Sequence, residues 1–167
     1  FLELALGGVI MGGPMTIEIV AQWNALNYYS RLFGCGNGEA QDTIGVCNVV
    51  ASGQLRWSIH QGSASKKAFS PSTSDLVVGV RYHIVATVVG TTMISYINGI
   101  KMGEELSGHE PNTMNRSQCY IGKSNWAGDG YLSGEVSSLK IYSGAMTQVQ
   151  VTAAYHASFP ILEHSWD

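Results

Sequence analysis

The segment 125–131, Asn-Trp-Ala-Gly-Asp-Gly-Tyr, brings together side-chain types that bind sugars. The aromatic faces of Trp126 and Tyr131 can stack on sugar rings, and the amide of Asn125 and the carboxylate of Asp129 can bind pairs of hydroxyls. An exposed tryptophan in a glycine-rich loop is unusual, because large aromatic residues are mostly buried. The sequence therefore predicts a ligand-binding rim loop made by Asn125, Trp126, Asp129 and Tyr131.

Motifs for catalysis are missing elsewhere in the sequence. It contains no His-Glu-x-x-His or Cys-x-x-Cys metal motif and no Gly-x-Ser-x-Gly nucleophile elbow. The neighbouring Glu104 and Glu105 stand at the end of a predicted strand, so their side chains point to opposite faces. We expect a binding protein rather than an enzyme.

Composition narrows the class of protein further. A chain of 167 residues with 45% hydrophobic and 13% charged residues fits one globular domain with a large core, which excludes a disordered chain. The net charge of −3 and the lack of a basic stripe argue against nucleic acid as a partner. No apolar run is long enough to predict membrane insertion.

Period-two alternation predicts the elements that carry these residues. Hydrophobic residues occupy every second position over 15–23, and Leu55, Trp57 and Ile59 alternate with Arg56, Ser58 and His60. A long hairpin is predicted over 81–98, followed by a tight turn at Asn98-Gly99, and further strands over 118–122 and 131–142. The polar stretch 62–74 is predicted to be a loop, either an ordinary connection or a partner-facing, O-glycosylated one.

One short helix is predicted near the end of the chain. Thr147 can cap it, and Val149, Ala153 and Ala154 have helical spacing up to Tyr155. Many short strands with one late helix predict an all-β, two-sheet antiparallel sandwich. We place the domain at residues 1–157 and a tail or linker at residues 158–167.

Three cysteines and one sequon complete the candidate sites. Cys35 and Cys47 have hairpin spacing, which predicts either a disulfide or two buried thiols. Cys119 is expected to be a buried free thiol. Asn115, in Asn-Arg-Ser, is the acceptor position of an N-glycosylation motif.

Three segments resemble those of laminin-G-like jelly rolls, which belong to the concanavalin A-like lectin/glucanase group. These are RYHIVAT at 81–87 with ISYING at 94–99, YIGKSNW at 120–126, and YLSGEVSSLKIYSGAM at 131–146. The resemblance implies a jelly roll of two antiparallel sheets and an extracellular setting within a larger assembly. Trp126 recurs in the family segment, which is equally consistent with a ligand contact and with a loop anchor folded inward.

The resemblance also suggests two kinds of chemistry, glycoside hydrolysis and calcium binding. Hydrolases of this fold use paired carboxylates on one strand, and the segment that matches their motif here keeps only Glu135, with Ser137 and Leu139 in place of the other two acidic residues. Calcium is a further candidate, since many members of the group bind it through oxygen ligands on a rim loop. The expected ligands would be Asp129 and Asp42, with a turn stabilised by the Asp129 side chain as the alternative.

The resemblance leads to two main hypotheses of function. The first is a non-catalytic extracellular adhesion or recognition module that binds a glycan or a protein. The second is a structural subunit of a filament or matrix, because the family's first strand is represented here only by residues 1–4, and an unpaired sheet edge invites another strand. A glycoside hydrolase is the third and least favoured hypothesis.

Overall fold

Two antiparallel β-sheets pack face to face in the computed structural model, which describes residues 1–4, 10–63, 65–71 and 75–160. This arrangement confirms the two-sheet jelly-roll sandwich expected from the alternation. The first sheet has six strands, named here in their spatial order. They are β1 (Leu2–Glu3), β12 (Gln118–Ile121), β4 (Arg31–Gly36), β5 (Ile44–Asn48), β6 (Leu55–Gln61) and β7 (Ser65–Phe69).

The second sheet has five strands, which are in spatial order β10 (Ile100–Glu105), β9 (Thr92–Ile97), β8 (Arg81–Val89), β3 (Met15–Ala25) and β13 (Ser133–Ser143). A separate two-stranded ribbon pairs β2 (Ile10–Met11) with β11 (Met114–Asn115).

The core lies between the inner faces of the two sheets. Trp23, Trp57 and Phe33 are its largest fully buried side chains. In β6 the alternation works as expected, because Leu55, Trp57 and Ile59 enter the core. The residues between them therefore lie on the outer face of the six-stranded sheet.

The predicted hairpin and turn are present. Strands β8 and β9 pair from Ile84↔Ile97 to Val89↔Thr92. Asn98 and Gly99, with φ of 51° and 78°, make the turn into β10, as the Asn-Gly dipeptide predicts.

The helix α1 (Gln148–Ser158) lies against the outer face of the five-stranded sheet. Thr147 caps it, with its hydroxyl accepting from the Gln150 amide and the Gln150 side chain accepting from the Thr147 amide. Val151 of the helix packs against Val85 and Tyr96 in a second hydrophobic cluster. The helix thus covers one side of the sandwich, and the outer face of the six-stranded sheet is left to form a cleft.

Two cysteine predictions were wrong, the Cys35–Cys47 disulfide and the free thiol at Cys119, whereas the buried thiol predicted as the alternative is found at Cys47. The disulfide joins Cys35 to Cys119, and Cys47 is a buried free thiol. Cys35 lies opposite Ile44 in β5 and opposite Cys119 in β12. Cys47 is three positions beyond Ile44, so it lies on the other face of β5 and farther along the strand pair.

Other expectations have mixed outcomes. The stretch 62–74 is not only a loop, because Ser65–Phe69 adds to the sheet beside β6. Leu2–Glu3 pairs with Ile121 and Tyr120 and so covers half of the four-residue edge of β12. The proposed tail 158–167 reaches beyond the described residues, and the domain boundary stays a prediction. None of the helices in the described ranges is long and apolar enough to cross a membrane.

Candidate functional site

A cleft of about 410 Å³ opens on the outer face of the six-stranded sheet. Strands β4 to β7 supply its floor and one wall, and the rim loop at residues 124–131 supplies the opposite wall. The side chains that border it are mainly basic, hydroxyl-bearing and aromatic: Tyr28, Tyr29, Arg31, Ala40, Cys47, Arg56, Ser58, His60, Ser63, Lys66, Trp126 and Asp129.

The floor of the cleft is low because small residues line up across four strands. Gly34, Gly45, Ser58 and Ala68 are register partners in β4, β5, β6 and β7. A Cβ atom on Gly45 would stand 2.5 Å from Nη1 of Arg31. Glycine is therefore required at this position for the Arg31 side chain to lie across the sheet.

Arg31 ties the rim loop to the sheet. Its side chain is 7% exposed, and its Nη2 lies 3.4 Å from Oδ2 of Asp129, whose side chain is 11% exposed. Its Nε donates to the Ser124 hydroxyl at 2.7 Å, and its guanidinium stacks over the Trp126 ring, 4.6 Å from the ring centroid. One buried cation thus holds a hydroxyl, a carboxylate and an aromatic ring of the loop.

Ser124 completes this arrangement. Its hydroxyl donates to Asp129 Oδ2 at 2.6 Å and accepts from the Trp126 backbone amide at 3.1 Å. The backbone closes a turn from Trp126 to Asp129, whose amide donates to the Trp126 carbonyl. The loop therefore has a defined shape, because its polar groups are bonded within it and to Arg31.

The four predicted site residues lie together. Asn125, Trp126, Asp129 and Tyr131 border a smaller pocket of about 240 Å³ that also includes Lys123. Trp126 and Asp129 border the large cleft as well, so this pocket and the cleft share a wall. Trp126 is half-buried, packed between Arg31 and His60, and is therefore both a loop anchor and part of the cleft surface.

Two of these residues have roles of their own. The Asn125 amide donates to the carbonyls of Gly38 and Gln118 at 3.4 and 3.3 Å, so it fastens the rim loop to the neighbouring turn. Tyr131 is 57% exposed and stacks on Phe1, with ring centroids 5.5 Å apart. Tyr131 remains the most accessible aromatic ring of the predicted set.

The expected calcium ligands belong to separate networks. Asp129 is engaged by Arg31 and Ser124. Asp42 accepts from the Gly62 amide and from Asn112, both at 2.8 Å, and its pKa is lowered chiefly by the Gly62 bond. Within the described ranges no three acidic, histidine or cysteine side chains gather around one point. Asp42 and Asp129 therefore do not form one site together, and calcium binding through either of them stays a prediction for a titration followed by thermal unfolding.

The basic and imidazole side chains that border the cleft are not predicted to be functional from the sequence; they are Arg31, Arg56, His60 and Lys66. The alternation in β6 already placed Arg56 and His60 on the outer face. Lys66 lies in a stretch whose polar composition predicts a loop rather than a strand. For Arg31 no local signal exists, because its role depends on glycines and loop residues far along the chain.

Burial shapes the protonation states in the cleft. Desolvation lowers the pKa of His60 to about 4, so its imidazole is neutral at physiological pH. Desolvation, and then the nearby Arg56 and Arg31, lower the pKa of Lys66. Burial raises the pKa of the Cys47 thiol, so this cysteine is a poor nucleophile.

The sequon asparagine is exposed in β11. Its carbonyl accepts from the Asn37 side chain at 3.2 Å. The position is open to an attached sugar, and glycosylation of Asn115 stays a prediction for mass spectrometry.

Comparison with known families gave one match that spans nearly the whole domain. The model of the concanavalin A-like lectin/glucanases superfamily matches residues 4–152. A search of curated protein sequences found no significant match.

Several solved structures share the fold at low sequence identity. The heptameric SAP-like pentraxin of Limulus polyphemus is 21% identical, with a TM-score of 0.63 over 87% of this chain and 71% of that one. Domain 4 of AbnA, a GH43 extracellular arabinanase from Geobacillus stearothermophilus solved with arabinotriose, is 19% identical, with a TM-score of 0.67 over 87% and 68%. The CBM40 of the Ruminococcus gnavus IT-sialidase, bound to α2,3 sialyllactose, is 12% identical, with a TM-score of 0.72 over 86% and 83%.

Proposed function

The chain belongs to the concanavalin A-like lectin/glucanase superfamily, and we propose that it is a non-catalytic carbohydrate-binding module. The ligand site is the cleft on the outer face of the six-stranded sheet, together with the rim loop that forms its wall. A glycan is the partner, and the setting is extracellular recognition or adhesion within a larger assembly.

The observation that carries this proposal is the cleft itself. It combines an aromatic wall at Trp126 with donors and acceptors from Ser58, His60 and Tyr29. Sites for small polar ligands combine concave shape with a few fixed polar groups. Trp126 is held rigidly by Arg31, so little ordering is required when a ligand binds.

The absence of a catalytic pair supports a binding role. Glycoside hydrolysis uses two carboxylates on either side of the bond that is cleaved. Asp129 is the one carboxylate among the described residues that border the cleft, and it is engaged by Arg31. Glu135 is exposed on β13, in the opposite sheet.

Two further points support the extracellular setting and the glycan partner. The Cys35–Cys119 disulfide is typical of proteins that fold in oxidising compartments. Among the structures of the same fold, the arabinanase domain was solved with arabinotriose and the CBM40 with sialyllactose. Both were therefore solved with an oligosaccharide bound on a sandwich of this kind.

A glycan array followed by calorimetry tests the proposal. We expect the protein to retain at least one oligosaccharide, and we expect Trp126→Ala to weaken that binding about tenfold or more, since the variant removes the aromatic wall. Trp126→Phe keeps part of the wall and should lose less affinity. Thermal unfolding of both variants shows whether the fold survives. A protein that binds no member of a broad array would refute the proposal.

A further inference from the structure

Positive charge is concentrated in the cleft of a chain whose net charge is negative. Three of the nine lysines and arginines, Arg31, Arg56 and Lys66, border it. The chain as a whole carries a net charge of −3. The cleft therefore differs in sign from the average surface.

The three cations differ in whether a carboxylate of the protein neutralises them. Arg31 is neutralised by Asp129 and is almost fully buried. Arg56 and Lys66 have no carboxylate within salt-bridge distance among the residues that the structure describes, whose ion pairs all involve other cations. Two positive charges thus face the cleft without a counter-charge from the part of the chain that the structure describes.

The position of these two side chains is defined by the sheet. Arg56 lies on β6, with its guanidinium 5.5 Å from the centre of the Tyr29 ring. Lys66 lies on β7, directly opposite His60 of β6. Arg56, Ser58 and His60 lie one after another on the outer face of β6. The four residue steps from Arg56 to His60 correspond to about 13 Å along the strand.

His60 provides a second, independent observation that points to a ligand in the cleft. It is 4% exposed, and its Nδ1 has no hydrogen-bond partner among the described residues. A buried polar nitrogen without a partner costs free energy. Because His60 borders the cleft, a ligand that fills the cleft is a candidate partner for this nitrogen.

The mutual repulsion of the cations also favours the binding of an anion in the cleft. The charges of Arg56 and Arg31 help to lower the pKa of Lys66, after desolvation. Like charges held together without a counter-ion destabilise one another, and an anion between them removes that cost. The free cleft is therefore preorganised for negative charge.

We propose that the glycan bound in this cleft carries an anionic group, a carboxylate or a sulfate, which Arg56 and Lys66 hold while a sugar ring lies against Trp126. This inference rests on the proposed function and names its ligand class. Nucleic acid is disfavoured as the source of the anion, because the net charge of the chain is negative and backbone binding needs an extended basic surface.

The test uses matched pairs of oligosaccharides that differ in charge. Sialyllactose is compared with lactose, oligogalacturonate with its methyl ester, and sulfated dextran oligosaccharides with dextran. The first two pairs report on a carboxylate and the third on a sulfate. We expect at least one charged member to bind about tenfold tighter than its neutral counterpart, since hydrogen bonds to charged groups are the strong ones.

Variants of the cleft cations test which side chains hold the anionic group. Arg56→Gln and Lys66→Gln should each remove most of the preference for the charged member while leaving the fold intact, because neither side chain is part of the core. Lys101→Gln is the matched control, since Lys101 pairs with Glu104 on the other sheet. The preference should also weaken at about 0.5 M salt, where exposed charges are screened.

Each result decides between the two proposals. Equal binding of charged and neutral members overturns the anionic ligand but leaves the carbohydrate-binding module standing. A charge preference that Arg56→Gln and Lys66→Gln do not change also overturns it, because the anion then binds elsewhere. Binding of no member of any pair overturns the anionic ligand, and a failed glycan array overturns the module.

Discussion

The disulfide between Cys35 and Cys119 offers the sharpest test of the strand order. It links β4 to β12, two strands that are adjacent in the sheet and 84 residues apart in the sequence. We predict that reducing this bond, or replacing both cysteines with alanine, destabilises the protein strongly. Replacing Cys47 with alanine should have a much smaller effect.

The magnitude follows from the length of the loop that the bond closes. A cross-link over 84 positions restricts the unfolded chain by an entropy worth about 4.6 kcal/mol at 25 °C. In a domain of this size, each kcal/mol shifts Tm by about 2–4 °C. Reduction should therefore lower Tm by roughly 9–18 °C.

Two measurements check this prediction. Differential scanning calorimetry with and without a reductant gives the shift in Tm, and the Cys47→Ala variant serves as the control. Peptide mapping of the unreduced protein gives the connectivity. We expect one linked pair of peptides, containing Cys35 and Cys119, and one thiol that is alkylated only after unfolding.

Some outcomes would contradict the reasoning. A linked peptide containing Cys35 and Cys47 would mean that the pairing of β12 with β4 is wrong. A Tm that is insensitive to reductant, with the bond shown to be broken, would mean that the unfolded chain is not restricted by this loop.

Further predictions concern the cleft. Because burial holds the pKa of His60 at about 4, whereas an unfolded histidine titrates near pH 6.5, the unfolded state takes up the proton first. Stability should therefore fall as pH decreases from about 6.5 to 4, by about 3 kcal/mol from this residue, and His60→Gln should flatten that part of a urea-unfolding pH profile; an unchanged profile would refute the assignment. Gly45→Ala places a methyl group 2.5 Å from Nη1 of Arg31, so it should cost about 1–3 kcal/mol and weaken glycan binding. Gly128→Ala, which meets no atom within 4 Å, is the control, and equal urea midpoints for the two variants would count against the role given to Gly45.

Sequence reasoning identified the elements well because their signals are local. Alternation placed Leu55, Trp57 and Ile59 in the core, and Asn98-Gly99 identified a turn, since each depends on a few neighbouring residues. The rim loop was also found from composition, and Asn125, Trp126, Asp129 and Tyr131 do border one pocket. Their role as ligand contacts stays a prediction.

The errors concern pairing across the chain. Hairpin spacing left a Cys35–Cys47 disulfide open beside two buried thiols, yet the parity of β5 already separates the two cysteines, because Ile44 and Val46 face the core and Cys47 faces outward. The strand at 65–69 was hidden by its polar composition. At an edge of a sheet, pairing with β6 outweighs low intrinsic strand preference.

By itself the sequence determined the fold class, the inward and outward faces of the strands, and the residue types of the rim loop. These properties follow from period-two alternation and from short turn motifs, which act over a few residues. Only the tertiary structure decided that Arg31 lies over Gly45 beneath Trp126, and that Arg56, His60 and Lys66 share one cleft. The physical reason is that strand register is set by packing of the whole sandwich, and register decides which distant side chains meet.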